Sequence, residues 1–186
     1  MGVVLALAAE GCAPSAASPG PAEVKVVPLA GAQLERACVA GAHELCFNAR
    51  DDNCNGLLDE GCGVHTGLVQ FSIAWNEASA DVDLNVTDPN GELVSTLRPT
   101  EAGLVKERDC PGATDDCHGQ NMENVFLDGG KPLLRGTYRV AVRLEKLGGS
   151  PGPIEVTLGA RIGPKSYAAT FRLKRPEQEG VIRFEL

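Results

Sequence analysis

From Val64 to its C-terminus the chain alternates apolar and polar residues with a period of two. Val69, Phe71, Ile73 and Trp75 are separated by polar or small residues, and so are Val82, Leu84 and Val86. The pattern returns in Tyr138, Val140, Val142 and Leu144, then in Ile154, Val156, Leu158, Ala160 and Ile162. Ala169, Phe171 and Leu173 continue it, and Ile182, Phe184 and Leu186 end the chain. A period of two predicts strands with one face buried and one face out. Turn sequences separate them: Asp88-Pro-Asn-Gly91, Asp128-Gly-Gly130, Gly148 to Pro153 and Gly163-Pro164. About seven to nine short strands in about 120 residues, with no convincing helix, predict one antiparallel β-sandwich or jelly-roll domain. The long interruption from Arg98 to Met122 reads as a loop pinned by a Cys110–Cys117 bridge.

Upstream of Val64 the period disappears. Residues 1–11 form a short apolar stretch ending in small residues, immediately before Cys12. That order resembles a bacterial lipoprotein signal peptide, which implies that Cys12 is lipidated and becomes the new N-terminus. Residues 12–37 are rich in Ala, Ser, Pro and Gly at their start and read as a flexible tether. Leu34 and Cys38 would share one face of a helical turn or two within Leu29 to His43. Residues 38–63 form a cysteine-rich module, and residues 64–186 the sandwich.

The cysteines set the compartment. Cys38, Cys46, Cys54, Cys62, Cys110 and Cys117 lie in polar segments rather than in apolar strands, as a disulfide set made in an oxidising compartment does. Six cysteines allow about 15 pairings; local bridges within Cys38–Cys62 and between Cys110 and Cys117 are expected. The net charge of −8 disfavours nucleic acid or an anionic membrane face as partner and suits cations. No apolar run is long enough to span a membrane as a helix, so a membrane would be reached only through a lipid anchor. The expected location is the outer membrane or periplasm, with exposure at the cell surface.

The densest chemistry lies between Glu44 and Cys62. Asp51, Asn53 and Asn55 alternate, Gly56 follows, and Asp59 and Glu60 close the run. Oxygen side chains at alternate positions of a tight turn converge on one point, which suits a hard cation wanting about six to eight oxygens. Asp51, Asn53, Asn55, the Leu57 carbonyl, Asp59 and Glu60, with Asp52 in reserve, are the candidate calcium ligands. Cys62 stands where a full EF-hand places a bidentate glutamate, so weak affinity is expected, about 10⁻⁴–10⁻³ M. The same stretch resembles the short metal-binding repeat of secreted myxobacterial proteins, the MopE-type repeat, named after a surface-associated copper-binding protein. Copper is the poorer fit here: His43 is the sole imidazole nearby, the cysteines are expected to be oxidised, and oxygen donors favour calcium.

A second polar row follows Trp75. Asp81, Asp83 and Asn85 share one face of a strand whose other face is Val82, Leu84 and Val86. This segment and its Pro-x-Gly turn resemble the YfaP-like β domain of exported bacterial proteins. Asp116 to Phe126 and Gly136-Thr-Tyr-Arg-Val140 are similar to later motifs of that family, although Asn85 stands where the family usually has histidine. Asp81, Asp83 and Asn85 facing Asp116, Glu123 and Asn124 would make a second cation site or a small polar ligand pocket.

No nucleophile elbow, zinc-protease motif or phosphate loop is present, and the three histidines lie in separate segments. The expected function is therefore non-enzymatic: an exported calcium-binding lipoprotein whose sandwich contacts an envelope or surface protein or glycan. A carbohydrate- or cell-wall-binding module of a larger surface assembly is the alternative. A metal-dependent enzyme ranks third.

Overall fold

The computed structural model describes residues 24–28, 33–35, 38–110 and 120–186. Ten strands make two antiparallel sheets, and no helix occurs among the described residues. The strands are β1 (Lys25–Pro28), β2 (Gln33–Glu35), β3 (Val69–Trp75), β4 (Asp81–Thr87) and β5 (Leu104–Arg108). The second half contributes β6 (Met122–Leu127), β7 (Thr137–Lys146), β8 (Ile154–Ile162), β9 (Lys165–Leu173) and β10 (Glu179–Glu185). One sheet runs β1-β10-β7-β4 and the other β2-β9-β8-β3-β6-β5. The expected mainly-β sandwich is the fold.

The alternating residues do what their period requires. Val82, Leu84 and Val86 of β4 are buried while Asp81, Asp83 and Asn85 face outward. Phe71 lies at the centre, its ring 5.4 Å from Phe184 and 6.0 Å from Tyr138. Tyr138 is buried among these groups but gives its hydroxyl proton to the Leu134 carbonyl at 2.9 Å, so burial leaves no orphaned donor. Burial, with Asp88 nearby, pushes that phenol up to about 12.

Three elements differ from the sequence expectation. β1 and β2 fall inside residues 12–37, expected to be a tether: β1 pairs with β10, β2 pairs with β9, and Val24 and Val26 pack against the core. Residues 33–35 are thus a strand and not a helical turn. β5 lies within the interruption expected to be loop; Leu104 and Lys106 point to its inner side, where Leu104 is fully buried. Edge strands this short take their register from the neighbour they pair with more than from their own pattern.

β3 is buried along its whole length, because both of its faces are covered. The inner face meets the core. The outer face, bearing Gln70 and Ser72, lies under the cysteine-rich module. Ala49 and Leu58 of the module are buried there, and Gly159 of β8 lets them approach: a Cβ at Gly159 would collide with the Ala49 carbonyl oxygen.

Candidate functional site

The module, residues 38–63, has no regular secondary structure. Two interlaced bridges, Cys38–Cys54 and Cys46–Cys62, each close a separation of 16 residues. Cys110 is also disulfide-bonded; Cys117, its expected partner, lies outside the described residues, as does Cys12. Phe47, Ala49, Cys54 and Asp59 all take positive φ, between 50° and 65°, a region costing about 1–2 kcal/mol for a residue with a side chain. So tight a fold exposes many backbone N–H groups, and the acidic side chains satisfy them. Asp51 accepts from the amides of Asn55 at 3.0 Å and Gly56 at 2.9 Å, and Asp59 from those of Asn48 at 3.0 Å and Ala49 at 3.1 Å. Glu44 accepts from Asp52 and Asp59, and Asp52 from Leu45. Asp51 also receives the Ser166 hydroxyl at 2.5 Å, which ties the module to β9.

These bonds divide the six candidate calcium ligands. Asp51 and Asp59 hold backbone, although a carboxylate oxygen that accepts one N–H retains a lone pair. Asn53, Asn55 and Glu60 converge: the two amide nitrogens lie 2.6 and 2.5 Å from Glu60 Oε1. Glu60 Oε2 is buried and has no hydrogen-bond partner. Both amides would have to turn by half a rotation to present oxygen there, and each would give up a backbone N–H that its oxygen now accepts, from Asn55 and from Leu57 respectively. Leu57 gives its amide to Asn55 Oδ1 at 2.8 Å, keeping the turn closed. The sharp bend falls at Gly56, whose φ is 84°. Burial pushes Asp59 up to about 6; burial and then Glu60 push Glu44 up to about 7.

The second polar row is only partly assembled. Asp83 and Glu123 come together, joined by Asp109, with one carboxylate oxygen of each within 4.8 Å of the others. Lys106 enters the cluster, its Nζ 2.9 Å from Glu123 Oε2 and 3.1 Å from Asp109 Oδ1. Glu123 is core-facing on β6 and fully buried, and it accepts the amide of Leu84 at the free edge of β4 at 2.6 Å. Burial pushes Glu123 well above the usual carboxylate range and Asp83 up to about 6. Asp81 instead pairs with Lys146 at 3.1 Å. Asn124 points to the opposite face from Glu123, where it donates to Glu107 and accepts from Ser72 and Gln70. Asp116 lies outside the described residues. Neither Asp109 nor Lys106 stands out in the sequence; the available signal is Lys106 two residues after Leu104, on the inner side of a strand.

Beside the module, Phe47, Asn48 and Arg50 meet Ala74, Trp75, Asn76, Glu155 and Thr157 around an open cleft of about 290 Å³. The Arg108 guanidinium lies over the Phe47 ring, 5.6 Å from its centre.

Comparison with protein-family models, with curated proteins and with solved structures finds no match.

Proposed function

We propose that this chain is an exported, non-enzymatic calcium-binding protein, lipid-anchored through Cys12, whose sandwich mediates contacts at the bacterial envelope or surface. The formed bridges fit an oxidising, extracytoplasmic environment. The observation carrying the calcium reading is the convergence of Asn53 and Asn55 on Glu60, whose buried Oε2 has no partner. A buried carboxylate oxygen left unpaired is costly, and a hard cation removes that cost while accepting the neighbouring amide oxygens. Asn53, Asn55 and Glu60 would hold the ion, with Asp51, Asp59 and the Leu57 carbonyl as further candidates. Calcium would supply no chemistry beyond charge and cross-linking of the loop.

A cation held by the folded state alone stabilises it by mass action. The melting temperature is therefore expected to rise with millimolar calcium and fall in chelator, and Glu60→Gln should abolish the rise while leaving the calcium-free protein folded. A melting temperature unmoved by calcium would sink the reading. Asp51→Ala is the weaker probe, since it also removes two backbone caps.

The cleft supports a second reading. Phe47, with Asn48, Asn76, Glu155 and Thr157 at the same cleft, combines apolar surface with hydrogen-bonding groups as a saccharide site does. Retention on cell-wall glycan, lost in Asn76→Ala, would favour it.

A further inference from the structure

We propose that Lys106 and Asp109 condense into an intramolecular isopeptide bond, with the Glu123 carboxyl relaying the protons. Lys106 touches both acids, and Asp109 and Glu123 each place a carboxylate oxygen within 4.8 Å of the other. Lys106 Nζ lies 3.1 Å from Asp109 Oδ1 and 2.9 Å from Glu123 Oε2. The side chains are shielded, at 8% exposure for Lys106, 15% for Asp109 and 0% for Glu123. Glu123 is fixed from its other side by the Leu84 amide, while its Oε1 is buried without a hydrogen-bond partner.

Nothing else among the described ion pairs has this form. Lys25–Glu185 and Lys146–Asp81 use lysines that are 71% and 75% exposed. There water solvates the ammonium and keeps it protonated. At Lys106 the ion pair sits where charge is poorly solvated, so an uncharged amide in its place removes a desolvation cost. Holding amine and carboxyl in contact also removes most of the entropic barrier to an otherwise slow condensation.

Burial works to lower the Lys106 pKa, but Glu123 and Asp109 outweigh it and leave it raised, so the resting state is the ion pair. Burial pushes Glu123 well above the usual carboxylate range, and the reactive form is the one in which it carries a proton. The ammonium first gives a proton to the Asp109 carboxylate, leaving a neutral amine and a neutral acid. The Nζ lone pair then attacks Asp109 Cγ, forming the N–C bond, as the carbonyl oxygen takes the proton of Glu123. Glu123 recovers a proton from the nitrogen and passes it to one hydroxyl. That hydroxyl leaves as water, and the other returns its proton to Glu123 as C=O re-forms. One water is lost, no electrons are exchanged, and Glu123 ends as it began.

Intact mass spectrometry of the exported protein, reduced and denatured, tests this directly. The expected mass is one water below that of the mature sequence, with fragmentation placing the link between Lys106 and Asp109. Asp109→Asn should lose one ammonia and reach the same product mass as the wild type, an outcome no purely structural ion pair gives. Lys106→Arg and Glu123→Gln should retain their full masses. A wild-type protein of full sequence mass, cleaved by trypsin after Lys106, would overturn the proposal, as would a water loss mapped elsewhere. The readout is covalent and independent of calcium, so it stands apart from the loop reading.

Discussion

The sandwich and the module solve the same stability problem by opposite means. The sandwich has an apolar core of alternating residues from both sheets, and its backbone groups are satisfied by strand pairing. The module buries little beyond Ala49 and Leu58 and has no strand of its own. It substitutes carboxylates for neighbouring strands: Glu44, Asp51, Asp52 and Asp59 each accept backbone amides that a sheet would have paired. Its two bridges then restrict the unfolded chain, which a small core cannot outweigh by itself. The lesson is that acidic density in a small module is first a way of closing backbone. Within the module, Glu60 Oε2 is the buried carboxylate oxygen that this closure leaves without a hydrogen-bond partner.

The contrast is broken most sharply at Phe71. Its ring is fully buried and touches Tyr138 and Phe184, so Phe71→Ala should cost about 3–5 kcal/mol. Chemical denaturation should register that loss equally with and without calcium. A calcium-dependent loss would mean that the two parts are not held by separate forces.

Gly159→Ala tests the join between them. The added methyl would meet the Ala49 carbonyl and approach Leu58 at 3.1 Å. Overpacking of this kind costs about 1–3 kcal/mol. The expected result is loss of amide protection in residues 45–60 on hydrogen exchange, while β7 and β10 keep theirs. Uniform loss across the sandwich would show that the module is part of a single cooperative unit.

The join also marks where the sequence stopped being legible. β3, β4 and β7 to β10 were readable because a half-buried strand needs its period. The outer face of β3 was not, because Gln70 and Ser72 look like ordinary solvent-facing residues; their lack of charge was the available hint of a cover. β1, β2 and β5 escaped because short edge strands borrow their order. The acidic loop is legible as a composition, but which oxygens hold backbone and which face one another depends on positive-φ turns that spacing does not encode. Likewise, Asp83 and Glu123 were picked out by charge, whereas Lys106 and Asp109 required the β5–β6 pairing to bring them there.

The smallest effect belongs to Asp83, at the border of the buried cluster. Burial raises its pKa from the ordinary 3.8 to about 6, with Lys106 opposing and Glu145 adding to the rise. The folded state thus binds this proton more tightly than the unfolded chain. The stability contributed is fully present below the unfolded value and is lost as pH rises through about 6. Asp83→Asn, which cannot ionise, should therefore behave like the wild type near pH 4 and gain on it above pH 6. After allowance for solvent screening of a half-exposed group, the gain should be about 1 kcal/mol. Conversion of Lys106 to an amide would remove the opposing cation and enlarge the gain without changing its sign. Denaturant midpoints measured across that range decide the matter: a variant that loses stability above pH 6 would mean that the ionised carboxylate is satisfied by Lys106 more fully than its burial penalises it.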